Sequence, residues 1–174
     1  MLTLHRASTG PAVLVHDDRI AGLGAFAELA AAHPGARVRD WGQARLAAGR
    51  LAADAVQLLE HSYHPDPREE AGTDPVPLPA DLADGHYGGL GGSARRGVQR
   101  LLAAGTTALV GPFGAPAVLA AVRRSGLPVV AAGAAAPELV VGGRADFAVL
   151  AVPAAENGPC LATVLAGRIV FRRR

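Results

Sequence analysis

The chain contains no lysine, a single cysteine and no long apolar run. All 17 basic residues are arginine, which is typical of GC-rich coding as in actinobacteria. One cysteine, Cys160, excludes an internal disulfide and fits a reducing compartment. No uninterrupted apolar stretch reaches the ~20 residues that a membrane span needs, and the first residues lack the pattern of a signal peptide. We therefore expect a soluble, cytoplasmic protein with no membrane partner.

Aromatic residues are scarce, since the 174 residues include only four Phe, two Tyr and one Trp. The core is therefore predicted to consist of Val, Leu and Ala. Residues 85–137 hold five arginines and no acid, whereas residues 60–84 hold seven acids and one arginine. A nucleic-acid surface would combine basic residues with aromatic stacking platforms, and the basic segment offers only Tyr87 and Phe113. We expect solvated charge and no nucleic-acid partner.

The two ends of the chain show the alternation and turn residues of β-hairpins. Strands are predicted over residues 2–7, 12–16 and 19–23, with a turn at Asp17-Asp18, and over 36–41, 145–152 and 161–171. The last segment is expected to turn at Ala166-Gly167. A short helix is predicted over Phe26–Ala32.

The middle of the chain shows helical spacing that alternates with apolar runs. A helix is predicted from about Ala52 to residue 63, followed by an irregular loop over 65–92 that is rich in Pro, Gly and Asp. A second helix is expected to begin at Ser93 as its N-cap and to precede a strand over Thr106–Val110. Another helix follows from Pro116 to Gly126, and then a strand over 127–131. This alternation predicts parallel α/β architecture.

The richest polar cluster comprises Glu60, His61, His64 and Asp66. On a helix the two histidines would share a face, with Glu60 one turn before His64. Such donors suit Zn²⁺ or Fe²⁺, and the same residues also fit a solvated helix end. Contact with a ligand or partner is a third interpretation, so the cluster is our candidate functional site.

A glycine-rich segment, residues 88–92, precedes Ser93 and two arginines, Arg95 and Arg96. Free amides at the start of a helix attract anions, so phosphate binding is one interpretation. No strand precedes the segment and no Gly-Lys-Ser/Thr follows it, so neither nucleotide fingerprint is present. A flexible connection with a helix cap is the other interpretation. Cys160, which enters an apolar strand, is expected to be a core residue rather than a nucleophile.

Three segments at the chain ends carry a family resemblance. They are Val13-Leu14-Val15-His16-Asp17-Asp18-Arg19-Ile20-Ala21-Gly22-Leu23-Gly24, residues 143–150 and residues 164–171. In this order they resemble the small β-domain that metal-dependent amidohydrolases build from both termini around a catalytic barrel. The nearest resemblance is to the imidazolonepropionase and aminodeoxyfutalosine deaminase group. Residues 93–110, with Gly105-Thr106-Thr107, resemble the first barrel helix and second barrel strand of that family.

The resemblance implies a metal-binding His-x-His pair on the first barrel strand. Gly49 fits the glycine that precedes this pair, but Ala48 stands in place of proline, and Asp54 and Val56 stand where the histidines would be. A complete barrel needs about 200 to 250 residues, more than the 174 present. Metal-assisted hydrolysis requires about three protein ligands, so we expect the family's chemistry to fail here.

These observations predict an α/β protein with two parts. Residues 1–42 and 138–174 form a composite β-domain, and residues 43–137 form a reduced, incomplete βα-barrel-like layer. We expect an amidohydrolase-like binding or accessory module with a degenerate active site, unknown catalytic residues and no cofactor. Its partner would be a small molecule or a protein. The alternatives are a hydrolase acting on a non-peptide C–N bond of a cyclic amide or aminopurine, with Zn or Fe and a partner, and a structural homo-oligomer.

Overall fold

The computed structural model describes residues 1–70, 72–79, 82, 88–152 and 158–173. Within these residues the chain is a mixed α/β protein, which confirms the predicted fold class. It divides into two compact units. The first comprises Met1–Arg50, Leu102–Thr107 and Ala136–Arg174, and the second comprises Leu51–Leu101 and Ala108–Ala135. None of the helices in the described part is long and apolar enough to cross a membrane.

The elements of the described residues follow in chain order. The strands are β1 (Leu2–Arg6), β2 (Ala12–His16), β3 (Arg19–Gly24), β4 (Arg37–Asp40), β5 (Ala44–Ala48), β6 (Arg50–Ala52), β7 (Ser62–Tyr63), β8 (Val76–Pro77), β9 (Thr106–Val110), β10 (Val129–Val130), β11 (Phe147–Ala151), β12 (Cys160–Leu165) and β13 (Arg168–Arg172). The helices are α1 (Phe26–Ala32), α2 (Ala55–Glu60), α3 (Gly89–Ala103) and α4 (Pro116–Ser125), with a 3₁₀ helix over Pro67–Glu69.

Two four-stranded sheets make up most of the first unit. One has the order β3-β2-β1-β4 and the other β13-β12-β11-β5. The predicted hairpins are confirmed: β2 pairs antiparallel with β3, and β12 with β13. The first turns through Asp17, which has a φ of 55°, and the second through Ala166 and Gly167, with φ of 48° and 74°. Positive φ at these positions gives a turn whose twist matches that of the strands.

Alternation along β2 explains how this unit is packed. Val13 and Val15 lie in a core shared with residues of β5, β11 and β12, among them Leu46, Phe147 and Val164. Successive side chains of a strand point to opposite faces, so Ala12 and Leu14 lie on the other face. There they pack with Leu4 and with Phe26 and Leu29 of α1. Strands from both chain ends therefore share one apolar core.

The middle of the chain forms a three-stranded sheet in the order β10-β9-β6. Strands β9 and β10 run parallel, with Leu109 opposite Val129, and α4 connects them. The predicted strand over Thr106–Val110 is confirmed, as is the helix that begins at Pro116 and ends before Gly126, which has a φ of 74°. The predicted strand over 127–131 is shorter, at Val129–Val130.

Two expectations for this region were wrong, and one strand was not predicted. The helix predicted from about Ala52 to residue 63 spans only Ala55–Glu60, because Ser62 and Tyr63 pair with β8 instead. The strand β5 was missed, since its partner β11 lies about a hundred residues away in sequence. Helix α3 begins at Gly89, so Ser93 lies inside the helix rather than at its N-cap.

The predicted irregular loop over 65–92 falls partly outside the described residues, which omit 71, 80, 81 and 83–87. The described remainder is not wholly irregular. It includes the 3₁₀ helix over Pro67–Glu69, the short strand β8 and the first turn of α3. Asp66 caps the 3₁₀ helix by accepting a hydrogen bond from the backbone N–H of Arg68.

Candidate functional site

The four residues of the predicted cluster do not share one helical face. Helix α2 ends at Glu60, and the next residue, His61, is exposed. The Glu60 carboxylate accepts a hydrogen bond of 2.7 Å from the backbone N–H of Ala115, just before α4. Glu60 therefore stabilises the start of α4, where a negative charge is favoured.

His64 is buried, with 4% of its surface exposed. Its Nε2 lies 2.8 Å from the carbonyl oxygen of Leu58, and its backbone N–H donates to Oγ of Ser93. Burial lowers the pKa of His64, and the positive charges of Arg100 and Arg96 lower it further. The hydrogen bond to the carbonyl oxygen of Leu58 acts in the opposite direction. The imidazole is thus neutral near pH 7 and donates from Nε2. Its Nδ1 is then an acceptor with no hydrogen-bond partner among the described residues.

Asp66 is held by two arginines. Its Oδ1 accepts a 2.7 Å bond from Nε of Arg68, and its Oδ2 a 3.0 Å bond from Nη2 of the same guanidinium. Nη1 of Arg96 lies 3.5 Å from Oδ2. The hydrogen bonds from Arg68 lower the pKa of Asp66, and the charge of Arg96 adds to the effect. Asp66 is therefore a permanent anion that orients both guanidinium groups.

Arg96 joins helix α3 to the segment around His64. Its Nε donates a 2.7 Å bond to the carbonyl oxygen of His64, and its guanidinium lies 5.7 Å from the ring centroid of Tyr63. The Tyr63 hydroxyl donates to the carboxylate of Glu69. These contacts fix the main chain from Tyr63 to Asp66 against α3.

A pocket of about 460 Å³ lies between this segment and α3. His64 and Asp66 line it, whereas Glu60 and His61 do not. Its other charged side chains are Arg68, Arg95, Arg96 and Arg100, and Gln99 and Thr73 add neutral polar groups. This volume is within the range of small-molecule sites. The structure thus brings two of the four predicted residues together and surrounds them with arginine.

The predicted donors do not fit a divalent metal. Across the described ranges, no three His, Cys, Asp or Glu side chains come together. Asp66 is neutralised by Arg68, and His64 already uses Nε2. Asp54 and Val56, which occupy the positions of the family's histidines, lie at the start of α2, where Asp54 is exposed.

Sequence reasoning missed half of the pocket's positive charge, namely Arg68 and Arg100. Arg95 and Arg96 were singled out beside the glycine-rich segment, for which phosphate binding was one interpretation. The spacing of Arg95 to Gln99 and of Arg96 to Arg100 places these pairs on one helical face, and that spacing was the available signal. The capping role of Asp66 could also have been predicted, because Asp followed by Pro at the first helical position is a capping pattern.

A comparison with family profiles bears on the composite domain. Residues 12–36 match the profile described as imidazolonepropionase-like composite domain, bacteria. Over these residues the chain is imidazolonepropionase-like. This confirms the resemblance proposed from the sequence, and the matched segment comprises β2, β3 and α1 of the first unit. No curated protein sequence matches the chain significantly.

Solved structures of larger deaminases overlap part of this chain. Guanine deaminase from Bradyrhizobium japonicum superposes with a TM-score of 0.41 and 22% identity, over 70% of this chain and 27% of its own. Aminofutalosine deaminase from Helicobacter pylori gives a TM-score of 0.45 and 14% identity, over 75% of this chain and 33% of its own. The chain thus spans about a third or less of either structure, and neither superposition is close enough to assign a reaction.

Proposed function

We propose that this chain is an amidohydrolase-like binding or accessory module whose pocket beside α3 holds a small molecule without hydrolysing it. The observation that carries the proposal is the environment of His64 and Asp66. Arg68 holds the carboxylate of Asp66 and Leu58 engages Nε2 of His64, so that Nδ1 is left, and no third metal ligand joins the two residues in the described part of the chain. The pocket that they line has the volume of a ligand site. Such a site recognises a molecule by charge and shape rather than by activating water.

Metal analysis combined with ligand titration tests this proposal. Purified full-length chain should carry substoichiometric Zn²⁺ and Fe²⁺, and pocket ligands should raise its melting temperature by mass action. His64→Ala should lower that ligand-induced shift, whereas His61→Ala, at an exposed position outside the pocket, should leave it unchanged. One equivalent of tightly bound metal that is lost in His64→Ala would overturn the proposal.

A second candidate function is hydrolysis of a non-peptide C–N bond, in a cyclic amide or an aminopurine. The match of residues 12–36 to the imidazolonepropionase-like composite domain favours it. The test is an assay of ammonia release and ring opening with protein incubated with Zn²⁺ or Fe²⁺. Turnover that is sensitive to a chelator would establish this function in place of the binding role.

A further inference from the structure

We propose that the pocket beside α3 is a site for a small organic anion that presents a phosphate or carboxylate group. This inference rests on the proposed binding function and names the class of ligand. The pocket of about 460 Å³ is lined by four guanidinium groups and by the carboxylate of Asp66 alone among acidic side chains of the described residues.

One wall of the pocket is pre-organised. Asp66 orients Arg68 through two parallel hydrogen bonds, and Arg96 is further held by the carbonyl oxygen of His64. Fixed guanidinium groups lose little conformational entropy when they bind an oxyanion, and their planar geometry suits both phosphate and carboxylate. The positive potential at this wall is therefore present before a ligand binds, and the two arginine side chains need not rearrange.

Two further lining residues, Arg95 and Arg100 of α3, carry positive charge that is available to a ligand. Arg95 has no ion-pair partner among the described residues. Arg100 lies 3.3 Å from Asp74, whose side chain is 94% exposed. Exposed pairs of this kind are weak, so an anion that enters the pocket can replace Asp74. Gln99, one turn beyond Arg95 on the same face, adds an amide donor.

The pocket walls also argue against other ligands. A cation would meet four guanidinium groups, and the described residues of the lining include no aromatic platform on which a nucleic-acid base could stack. Gly92 lines the pocket without a side chain and leaves room beside Arg95 and Arg96. A compact molecule with a terminal oxyanion satisfies these walls best.

The test is isothermal titration calorimetry of the full chain at constant ionic strength. The probes are inorganic phosphate, malonate, adenosine 5′-monophosphate and adenosine. Saturable binding of phosphate or of the monophosphate identifies a phosphate site, and binding of malonate alone identifies a carboxylate site. Both results support the inference, and adenosine should bind at least tenfold more weakly than its monophosphate.

Matched variants show whether binding occurs in this pocket. Arg95→Gln and Arg100→Gln should each weaken anion binding by about tenfold or more, since each removes a charge-assisted hydrogen bond. Both side chains are exposed, so the melting temperature should hardly change. Arg124→Gln, at an exposed position on α4 outside the pocket, should bind as the parent does. Asp74→Asn should strengthen binding because it releases Arg100.

The possible failures are distinguishable. If adenosine binds as tightly as its monophosphate and His64→Ala abolishes both, the pocket is a binding site but does not select an anion, and only this inference is overturned. If none of the four probes binds, the anion site is overturned and the proposed binding function loses its support. Anion binding that Arg95→Gln and Arg100→Gln leave unchanged places the anion elsewhere and overturns the inference as well.

Discussion

The indole Nε1 of Trp41 donates a hydrogen bond of 3.2 Å to Nδ1 of His5. His5 is 1% exposed and meets the ring of Phe147 edge-on, with 5.0 Å between the ring centroids. Burial lowers the pKa of His5 to about 4, and the nearby charge of Arg39 acts in the same direction. Protonation of Nδ1 would place a second N–H opposite the indole N–H, so that two donors would face each other. The folded state therefore requires a neutral imidazole.

The first prediction concerns pH. The pKa of His5 is about 4 when folded, against 6.5 in the unfolded chain, so the unfolded chain binds the proton more tightly. The contribution of His5 to stability is therefore complete above pH 6.5 and declines as the pH falls toward 4, by roughly 3 kcal/mol at most. Urea unfolding, followed by the fluorescence of the single tryptophan, should show this decline.

His5→Gln is the matched control, because its amide oxygen can accept from Trp41 but does not titrate. Its free energy of unfolding should fall less steeply between pH 6.5 and 4.5 than that of the parent. An equal fall in the two proteins would contradict the conclusion that His5 must be neutral in the folded state.

Local patterns predicted most of the strands of the first unit and few of the contacts in the pocket. The turn at Asp17 and the helix end at Gly126 depend on the conformational preferences of neighbouring residues, which the sequence displays. Strand β5 forms because Ala48 pairs with Phe147, and a contact between residues so far apart in sequence leaves no signal in a short segment of the chain. The contact of Asp66 with Arg96 was not predicted for the same reason, because it joins positions thirty residues apart.

The second prediction concerns Gly97 of α3. A Cβ atom at this position would lie 2.6 Å from Nε2 of His64 and 2.7 Å from Cδ2 of Leu59. Alanine favours helix by about 1 kcal/mol over glycine, but such overpacking costs about 1–3 kcal/mol. Gly97→Ala should therefore destabilise the protein and displace the His64 ring, which chemical denaturation and the imidazole NMR shifts would report.

Gly91→Ala on the same helix is the control for Gly97→Ala. Its Cβ would meet the nearest atom, Cβ of Ala117, at an ordinary 3.6 Å. This variant should be as stable as the parent or more stable. A Gly97→Ala protein that gains stability to the same extent would show that His64 is not packed against α3.

The third prediction concerns Cys160. It is 3% exposed, and its Sγ lies 3.2 Å from the carbonyl oxygen of Ala162. A buried thiol reacts only when the surrounding strands open. Labelling with a thiol reagent should therefore be at least about a hundredfold slower in the native protein than in urea. Rapid labelling without denaturant would show that β12 is not packed as described.

The last prediction concerns Asp66, whose carboxylate binds Arg68 and Arg96. Asp66→Asn keeps the size of the side chain but removes the charge, so the melting temperature at pH 7 should fall. The folded pKa of Asp66 is lowered below its ordinary 3.8 by the bonds from Arg68. The ionised carboxylate therefore stabilises the folded protein fully above pH 3.8, and this stabilisation is lost as the pH falls further. The difference in melting temperature between parent and variant should narrow below pH 3.8. Asp74→Asn removes an exposed partner of Arg100 and should leave the melting temperature unchanged across this range. An equal effect of both substitutions would mean that Asp66 does not organise the pocket wall.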